Sequence, residues 1–141
     1  MKRPMGRFVA ISTASLLLAG CQSLADDRPT YFSPIVRDEP SIGLLLLSYT
    51  NDTGHKLCLG PESWPSRGGF VNTNGEEYYL LVQGVRYYHR TEQDNCPRGC
   101  NTIVPAGERI DGVLRYDFFE LPRELYREPK ILHFEPVAGR C

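Results

Sequence analysis

The sequence lacks an apolar run long enough to cross a membrane as a helix. The apolar run at residues 8–18 has eleven residues, whereas a transmembrane helix needs ~20. A strong charge imbalance is also missing, because 16 Lys and Arg oppose 17 Asp and Glu among 141 residues. We therefore predict no transmembrane helix and no basic surface of the kind that attracts nucleic acid.

The sequence also lacks the short motifs of common catalytic and nucleotide-binding sites. It contains no G-x-S-x-G, H-E-x-x-H, P-loop or dinucleotide-binding pattern. We therefore predict that the protein is not an enzyme and uses no cofactor. Histidine is scarce, and only His55, His89 and His133 are present. Three histidines can converge on a metal, but single histidines on predicted strands are more often half-exposed sheet residues, so we predict no metal site.

The N-terminus combines a basic start, a short apolar core and small residues, which together are typical of a secretory signal. The basic residues are Lys2, Arg3 and Arg7. The run Leu18-Ala19-Gly20-Cys21 resembles the lipobox of bacterial lipoproteins. This resemblance implies a helical signal peptide at residues 1–20 and acylation of Cys21 after cleavage. Several acyl chains on Cys21 would anchor the protein stably, where one chain alone is marginal.

The residue after Cys21 is Gln22. In lipoproteins of this type an Asp at that position commonly signals retention in the inner membrane, so the resemblance implies the periplasmic side of the outer membrane. An ordinary cleaved signal with a chance cysteine is the alternative. Removal of residues 1–20 would shift the formal charge from -1 to about -4. Residues 21–41 carry three prolines and no apolar period, so we expect a lipidated N-terminus and flexible tether there.

Four cysteines remain once Cys21 is assigned to lipid, and an even number in an oxidising compartment favours two disulfides. We favour Cys96–Cys100 and Cys58–Cys141. The first would close a short loop containing proline and glycine, and the second would tie an early strand to the last residue. The other pairing considered is Cys58–Cys96 with Cys100–Cys141. A four-cysteine zinc site is less well supported, since the usual ligand spacing is C-x2-C.

Residues 42–141 read as one domain of about seven short strands separated by turns. The predicted strands cover 42–50, 55–59, 77–82, 85–90, 102–104, 109–119 and 130–137. We expect the leucine run at 44–47 to be buried on both faces, and a bulge at Gly112. This pattern predicts an all-β fold, an antiparallel β-sandwich that resembles periplasmic immunoglobulin-like domains. A small β-barrel is the alternative.

One predicted strand carries an unusual concentration of tyrosine and arginine. Alternation along residues 85–90 places Arg86, Tyr88 and Arg90 on one face, and Tyr87 and His89 on the other. Tyrosine and arginine dominate the energetics of protein interfaces, so the first face is a candidate partner-binding surface. The alternative is an ordinary solvent-exposed sheet face.

Two loops supply further candidate partner-binding residues. Trp64 lies in a loop rich in proline and glycine, where it either anchors a partner or folds inward over the core. Arg98 would lie at the tip of the Cys96–Cys100 loop, and such a closed loop lowers the entropy cost of binding.

The function predicted from the sequence is a membrane-anchored periplasmic lipoprotein that binds another envelope or periplasmic protein. Inhibitors, immunity proteins and envelope-assembly subunits belong to this class. The alternative is a periplasmic small-ligand or metal-binding module. Residues 84–87, Gly-Val-Arg-Tyr, are also similar to the Ser-Gly-x-Arg-Tyr loop of membrane-bound c-type lysozyme inhibitors, although Gln83 replaces the serine.

Overall fold

The computed structural model describes residues 28–69, 71–72, 78–90 and 102–141. The predicted signal peptide, Cys21 and the first part of the tether lie outside these residues. The described strands are β1 (Thr30–Tyr31), β2 (Ile35–Glu39), β3 (Leu44–Thr50), β4 (Leu57–Leu59), β5 (Tyr79–Val82), β6 (Val85–Tyr88), β7 (Thr102–Val104), β8 (Arg109–Arg115), β9 (Lys130–His133) and β10 (Val137–Arg140). Two short 3₁₀ helices cover Tyr116–Phe119 and Arg123–Leu125.

The strands form three antiparallel sheets that share one hydrophobic core. Their strand orders are β1-β10-β4-β7, β2-β3-β8 and β6-β5-β9. The sheets do not close into a barrel, so the all-β antiparallel sandwich is confirmed and the barrel alternative is not. Among the described residues, no helix is both long and apolar enough to cross a membrane.

The leucine run forms the central strand of its sheet. β3 pairs with β2 on one side and with β8 on the other. Leu45 and Leu47 are each 2 % exposed, whereas Leu44 and Leu46 are only half-buried. Complete burial was therefore predicted correctly for one face only. Gly112 lies opposite Leu47 in an unbroken register, so the predicted bulge is absent from β8.

The second half of the predicted tether is part of the domain. β1 pairs with β10 and β2 pairs with β3, so a flexible tether extending to residue 41 is wrong for this segment. Between the two strands, Phe32 is buried, with its ring centroid 4.1 Å from that of Tyr49. The prolines flank the strands and interrupt neither. Backbone hydrogen bonds to distant strands hold this polar segment, and such bonds require no apolar pattern.

β4 does not return beside β3. It lies in the four-stranded sheet, where it pairs with β10 and β7. This position places Cys58 beside the C-terminus, and Cys58 is bonded to Cys141 with their Cα atoms 5.1 Å apart. The structure thus contains the favoured long-range bridge and is incompatible with the other pairing considered. The predicted Cys96–Cys100 bridge lies outside the described residues.

The C-terminal region also divides differently from the prediction. The single strand expected at 130–137 is two strands, β9 and β10, in two different sheets. The strand expected at 109–119 ends at Arg115, and a 3₁₀ helix follows. That helix ends at Phe119, and the next residue, Glu120, has a left-handed φ of 53° that breaks any extended continuation.

Asn51 fixes the turn after β3. It is fully buried, and its amide nitrogen donates to the carbonyls of His55, Val104 and Pro105 at 2.8, 2.9 and 3.2 Å. Its side-chain oxygen accepts from the backbone N–H and the hydroxyl of Thr53 at 3.1 and 2.6 Å. The Asn51 side chain therefore forms hydrogen bonds with two turns at once. Because both its amide nitrogen and its oxygen have hydrogen-bond partners, its burial is tolerated.

Lys130 fixes β2 against β9. Its side chain is only 1 % exposed, and its ammonium lies 3.0 Å from the Asp38 carboxylate. The same group donates to the carbonyls of Tyr126 and Glu128 and lies 4.8 Å above the ring of Tyr116. Three acceptors match its three N–H donors. The network therefore joins the segment around residue 38 to the rest of the domain.

Candidate functional site

The sheet β6-β5-β9 has one face on the core and one face in solvent. Leu80 and Val82 of β5 point to the core and are at most 1 % exposed. Because side chains alternate along a strand, Tyr79 and Leu81 point outward. The strand register brings six outward side chains together. These are Tyr79, Leu81, Arg86, Tyr88, Ile131 and His133, which we call the aromatic face.

Tyr79 lies at the centre of the aromatic face. It is directly opposite Tyr88 on β6 and His133 on β9. Its ring stacks on that of His133, with centroids 4.7 Å apart and planes inclined by 14°. The ring of Tyr88 lies 5.6 Å away, tilted by 59°. Three rings on three strands therefore form a continuous row across the sheet.

Arg86 completes this row. Its guanidinium carbon lies 4.9 Å from the centre of the Tyr79 ring, a cation–π distance. A side-chain hydrogen bond with Tyr88 raises the pKa of Arg86, and charge interactions with Tyr79 and Tyr88 act in the same direction. The ring of Tyr79 is consequently contacted by the Arg86 cation and stacked with His133.

These contacts hold the aromatic face in a defined arrangement while leaving it accessible. Tyr88 is 43 % exposed and Ile131 is 66 % exposed. Side chains that already contact one another lose less rotamer freedom when a ligand binds. The face thus combines immobilised rings, an exposed cation and an exposed aliphatic group, a composition typical of protein-interface hot spots.

The hairpin between β5 and β6 sets the register of the aromatic face. Gln83 and Gly84 have φ values of 50° and 80°, so both central residues of the two-residue turn are left-handed, as in a type I′ hairpin. The dipeptide Gln83-Gly84 is compatible with either a tight turn or a bulge, and the structure contains the turn. A shift of one residue would turn Arg86 and Tyr88 toward the core.

Arg90 leaves the row, although alternation places it with Arg86 and Tyr88. β6 ends at Tyr88, and the backbone N–H of Arg90 donates to the carbonyl of Phe118 at 2.7 Å. The Arg90 guanidinium forms an ion pair with Glu120. Arg90 is exposed, but it is tied to the 3₁₀ helix and is not part of the aromatic face.

His89 belongs to the core, as alternation predicts. It is 2 % exposed, and its ring centroid lies 4.9 Å from that of Phe119 and 5.8 Å from that of Phe118. Burial lowers the pKa of His89, an effect opposed in part by the adjacent backbone of Arg90. Neither ring nitrogen has a hydrogen-bond partner within the described residues. Burial therefore favours the neutral imidazole, which acts as a packing group.

Trp64 is buried, so its prediction as a partner-binding anchor is wrong. It is 5 % exposed, with its ring centroid 6.1 Å from that of Phe32. On the other side it lies against Gly112, where an added Cβ would be 3.1 Å from the indole ring. The proline and glycine content of its loop marks a turn but does not determine whether the indole faces solvent. Arg98, the other loop candidate, lies outside the described residues.

The three histidines do not converge. His89 is in the core, His133 is stacked on Tyr79, and the Nδ1 atom of His55 lies 3.1 Å from the carbonyl oxygen of Thr53. The described part of the chain contains no group of three or more His, Cys, Asp or Glu residues that could hold a metal ion. The metal-binding alternative therefore has no support from histidine geometry.

One open cleft lies along the middle of β3 and another lies at its start. One, of about 550 Å³, covers the outer face of β2-β3-β8, and the other, of about 560 Å³, lies beside the turn between β2 and β3. In each cleft, an arginine forms an ion pair with an aspartate two residues away. Arg109 bonds Asp111 at 2.7 Å in the first, and Arg115 bonds Asp117 at 2.6 Å in the second. The Arg115 hydrogen bond lowers the pKa of Asp117, so these charges are already neutralised locally.

Four of the six residues of the aromatic face, Tyr79, Leu81, Ile131 and His133, were missed from the sequence. Arg86 and Tyr88 follow from alternation on one strand, whereas His133 and Ile131 come from a strand more than forty residues away. Polar–apolar alternation at 130–135 predicts which side chains face solvent, but it does not identify the partner strand. No protein-family model, curated protein or solved structure matches this chain.

Proposed function

We propose that this protein is a lipid-anchored lipoprotein on the periplasmic side of the outer membrane, and that it binds another envelope protein without catalysing a reaction. The lipobox resemblance at Leu18-Ala19-Gly20-Cys21 and the following Gln22 support the anchor and the location. The observation that carries the binding function is the row of Tyr88, Tyr79 and His133 with Arg86 against it.

Physical chemistry favours a protein partner for such a face. Tyrosine supplies a large contact area with only two rotatable side-chain torsions, so little entropy is lost on binding. The exposed Ile131 offers an aliphatic contact, and Arg86 offers a charge that suits an acidic or hydrogen-bond-accepting group. The face is open and not a deep pocket, a shape that suits a protein surface better than a small molecule.

The test is site-specific crosslinking in envelopes that contain the acylated protein. A photoreactive amino acid at position 88 should capture one partner, which mass spectrometry identifies. Binding of the purified partner should then fall by about thirtyfold or more for Tyr88→Ser and for Arg86→Ala, since interface hot spots contribute about 2 kcal/mol or more each. Arg109→Ala is the matched control, because Arg109 is an exposed arginine on β8, in a different sheet from the aromatic face.

The proposal fails if the two face variants bind the captured partner as well as Arg109→Ala does. It also fails if position 88 captures no specific partner while the lipid anchor is intact. Lysozyme inhibition is one specific form of the function, and a lysozyme activity assay with and without the mature protein tests it directly. Inhibition that is lost in Arg86→Ala would identify lysozyme as the partner.

A further inference from the structure

Exposed apolar side chains are concentrated at the N-terminal end of the domain. The two most exposed large hydrophobic residues in the described chain are Ile35 at 74 % and Tyr31 at 70 %, and Ile42 and Val36 follow in the same stretch at 65 % and 41 %. Single exposed hydrophobic residues are ordinary, but here four lie within twelve residues. We call Tyr31, Ile35 and Val36 the N-terminal edge.

The chain between the acylation site and this edge is short. Cys21 and Thr30, the first residue of β1, are nine residues apart. Nine residues span at most roughly 30 Å when fully extended, and about 17 Å as a flexible coil. A domain of this size is about 34 Å across. The distance from the anchoring bilayer to the strand edge that carries Thr30 is therefore smaller than the width of the domain.

Charges next to the N-terminal edge are paired, so the edge is locally neutral. Arg37 forms an ion pair with Glu39 at 2.8 Å, and Asp38 is paired with Lys130. Tyr31 lies on β1 and Ile35 and Val36 lie on β2, so the exposed tyrosine and the two exposed aliphatic side chains are close together in the chain. An exposed tyrosine fits the boundary between headgroups and acyl chains, where amphipathic rings are enriched. Within residues 30–39 the one basic side chain is the paired Arg37, so no basic cluster in this described segment favours an anionic protein or nucleic acid.

We propose that the N-terminal edge lies in the interfacial layer of the phospholipid bilayer that holds the acyl chains of Cys21. This orientation rests on the acylation of Cys21 proposed above. The membrane contact is apolar, so it should persist at high salt. Lys130 of β9 contacts Asp38 of β2, so the β9 side of the aromatic face lies toward the bilayer. In the same sheet, β6 is two strands from β9 and lies farther from the bilayer. A partner therefore approaches the aromatic face from the β6 side.

The experiment compares two isoleucine positions in the acylated full-length protein, reconstituted into phosphatidylcholine vesicles with bromine-labelled acyl chains. Ile35→Trp reports on the N-terminal edge. Ile103→Trp is the matched control, because Ile103 is also exposed, at 57 %, but lies on β7, three strands from β1 in the four-stranded sheet. The native Trp64 is buried and contributes the same background to both variants.

We expect bromine to quench the added fluorescence of Ile35→Trp, with a blue-shifted emission, and to leave that of Ile103→Trp unchanged. Quenching should be the same in 0.5 M and 0.05 M NaCl, roughly a threefold difference in Debye length. Equal quenching of both variants, or none at Ile35→Trp, would overturn the orientation. A shielded but unquenched Ile35→Trp together with a dimer in crosslinking would overturn it in favour of contact between two copies.

The mass of the peptide that contains Cys21 separates this proposal from the function it rests on. An acylated peptide without quenching refutes the orientation and leaves the anchor intact. A peptide without acyl chains refutes the anchor, and the orientation with it. Loss of partner binding in the aromatic-face variants is measured separately and does not depend on either outcome.

Discussion

Replacement of Lys130 by methionine tests whether residues 35–39 belong to the folded domain. Methionine keeps most of the aliphatic stem but removes the ammonium, which contacts the Asp38 carboxylate and the carbonyls of Tyr126 and Glu128. The substitution leaves all three acceptors without this donor. We therefore expect the free energy of unfolding to fall and β2 to lose its tie to β9.

The magnitude follows from the burial of the two charged partners. Removing one member of a fully buried ion pair costs about 3–5 kcal/mol. Lys130 is 1 % exposed, but Asp38 is 38 % exposed and water partly solvates it when the lysine is absent. We therefore expect the lower end, about 3 kcal/mol. With a urea m-value of about 1.5 kcal/mol/M, the unfolding midpoint falls by about 2 M.

The measurement is urea unfolding of the mature domain, followed by circular dichroism and tryptophan fluorescence. Lys56→Met is the matched control, because Lys56 is exposed, and it should change stability by less than about 0.5 kcal/mol. Hydrogen exchange of amides 35–39 should also quicken in Lys130→Met. A loss below about 0.5 kcal/mol, or unchanged exchange in β2, would refute the network as the tie between β2 and β9.

Three further predictions concern stability. Reduction of the Cys58–Cys141 bridge, which spans 83 residues, should lower the free energy of unfolding by about 4.5 kcal/mol in the chain-entropy model, and equal stability with and without reductant would contradict this. The Cβ added by Gly112→Ala would lie 2.8 Å from Pro65 and 3.1 Å from the indole of Trp64. This overpacking should lower the free energy of unfolding by about 1–3 kcal/mol and shift the emission of Trp64. Unchanged emission and stability would contradict this prediction. Burial lowers the pKa of His89 in the folded protein, so as the pH falls below ~6.5 the histidine is protonated in the unfolded chain first. The free energy of unfolding should therefore fall by up to ~1.4 kcal/mol per pH unit in this range. Urea unfolding at pH 7.5 and 5.5 should show a smaller fall in His89→Leu, and equal falls would count against the assignment.

The sequence predicts most of what depends on local pattern. Alternation at 85–90 correctly separates the exposed Arg86 and Tyr88 from the half-buried Tyr87 and the buried His89. The leucine run as a strand also follows from local preferences. Backbone geometry and side-chain alternation operate over a few residues, so these features are visible in the chain itself.

The segment at 30–39 shows where local pattern is insufficient. Its prolines and charges suggest a tether, yet β1 and β2 are held by hydrogen bonds to strands β10 and β3. The Tyr31-Phe32 pair is the one local signal that this segment packs on the domain, because aromatic residues are the part of the expected tether most suited to dock there. Phe32 is the member of the pair that is buried. Trp64 shows the same limit, because Gly112, almost fifty residues later, provides the space that buries it.

By itself, the sequence determined that this protein is all-β, which face of β6 meets solvent, and that Cys58 and Cys141 were the better pair for a long bridge. Only the tertiary structure decided that β9 lies beside β5, placing His133 against Tyr79, and that Trp64 faces inward. The physical reason is range. Alternation and turn chemistry act between neighbours, whereas strand pairing and burial depend on which distant segments the whole core brings together.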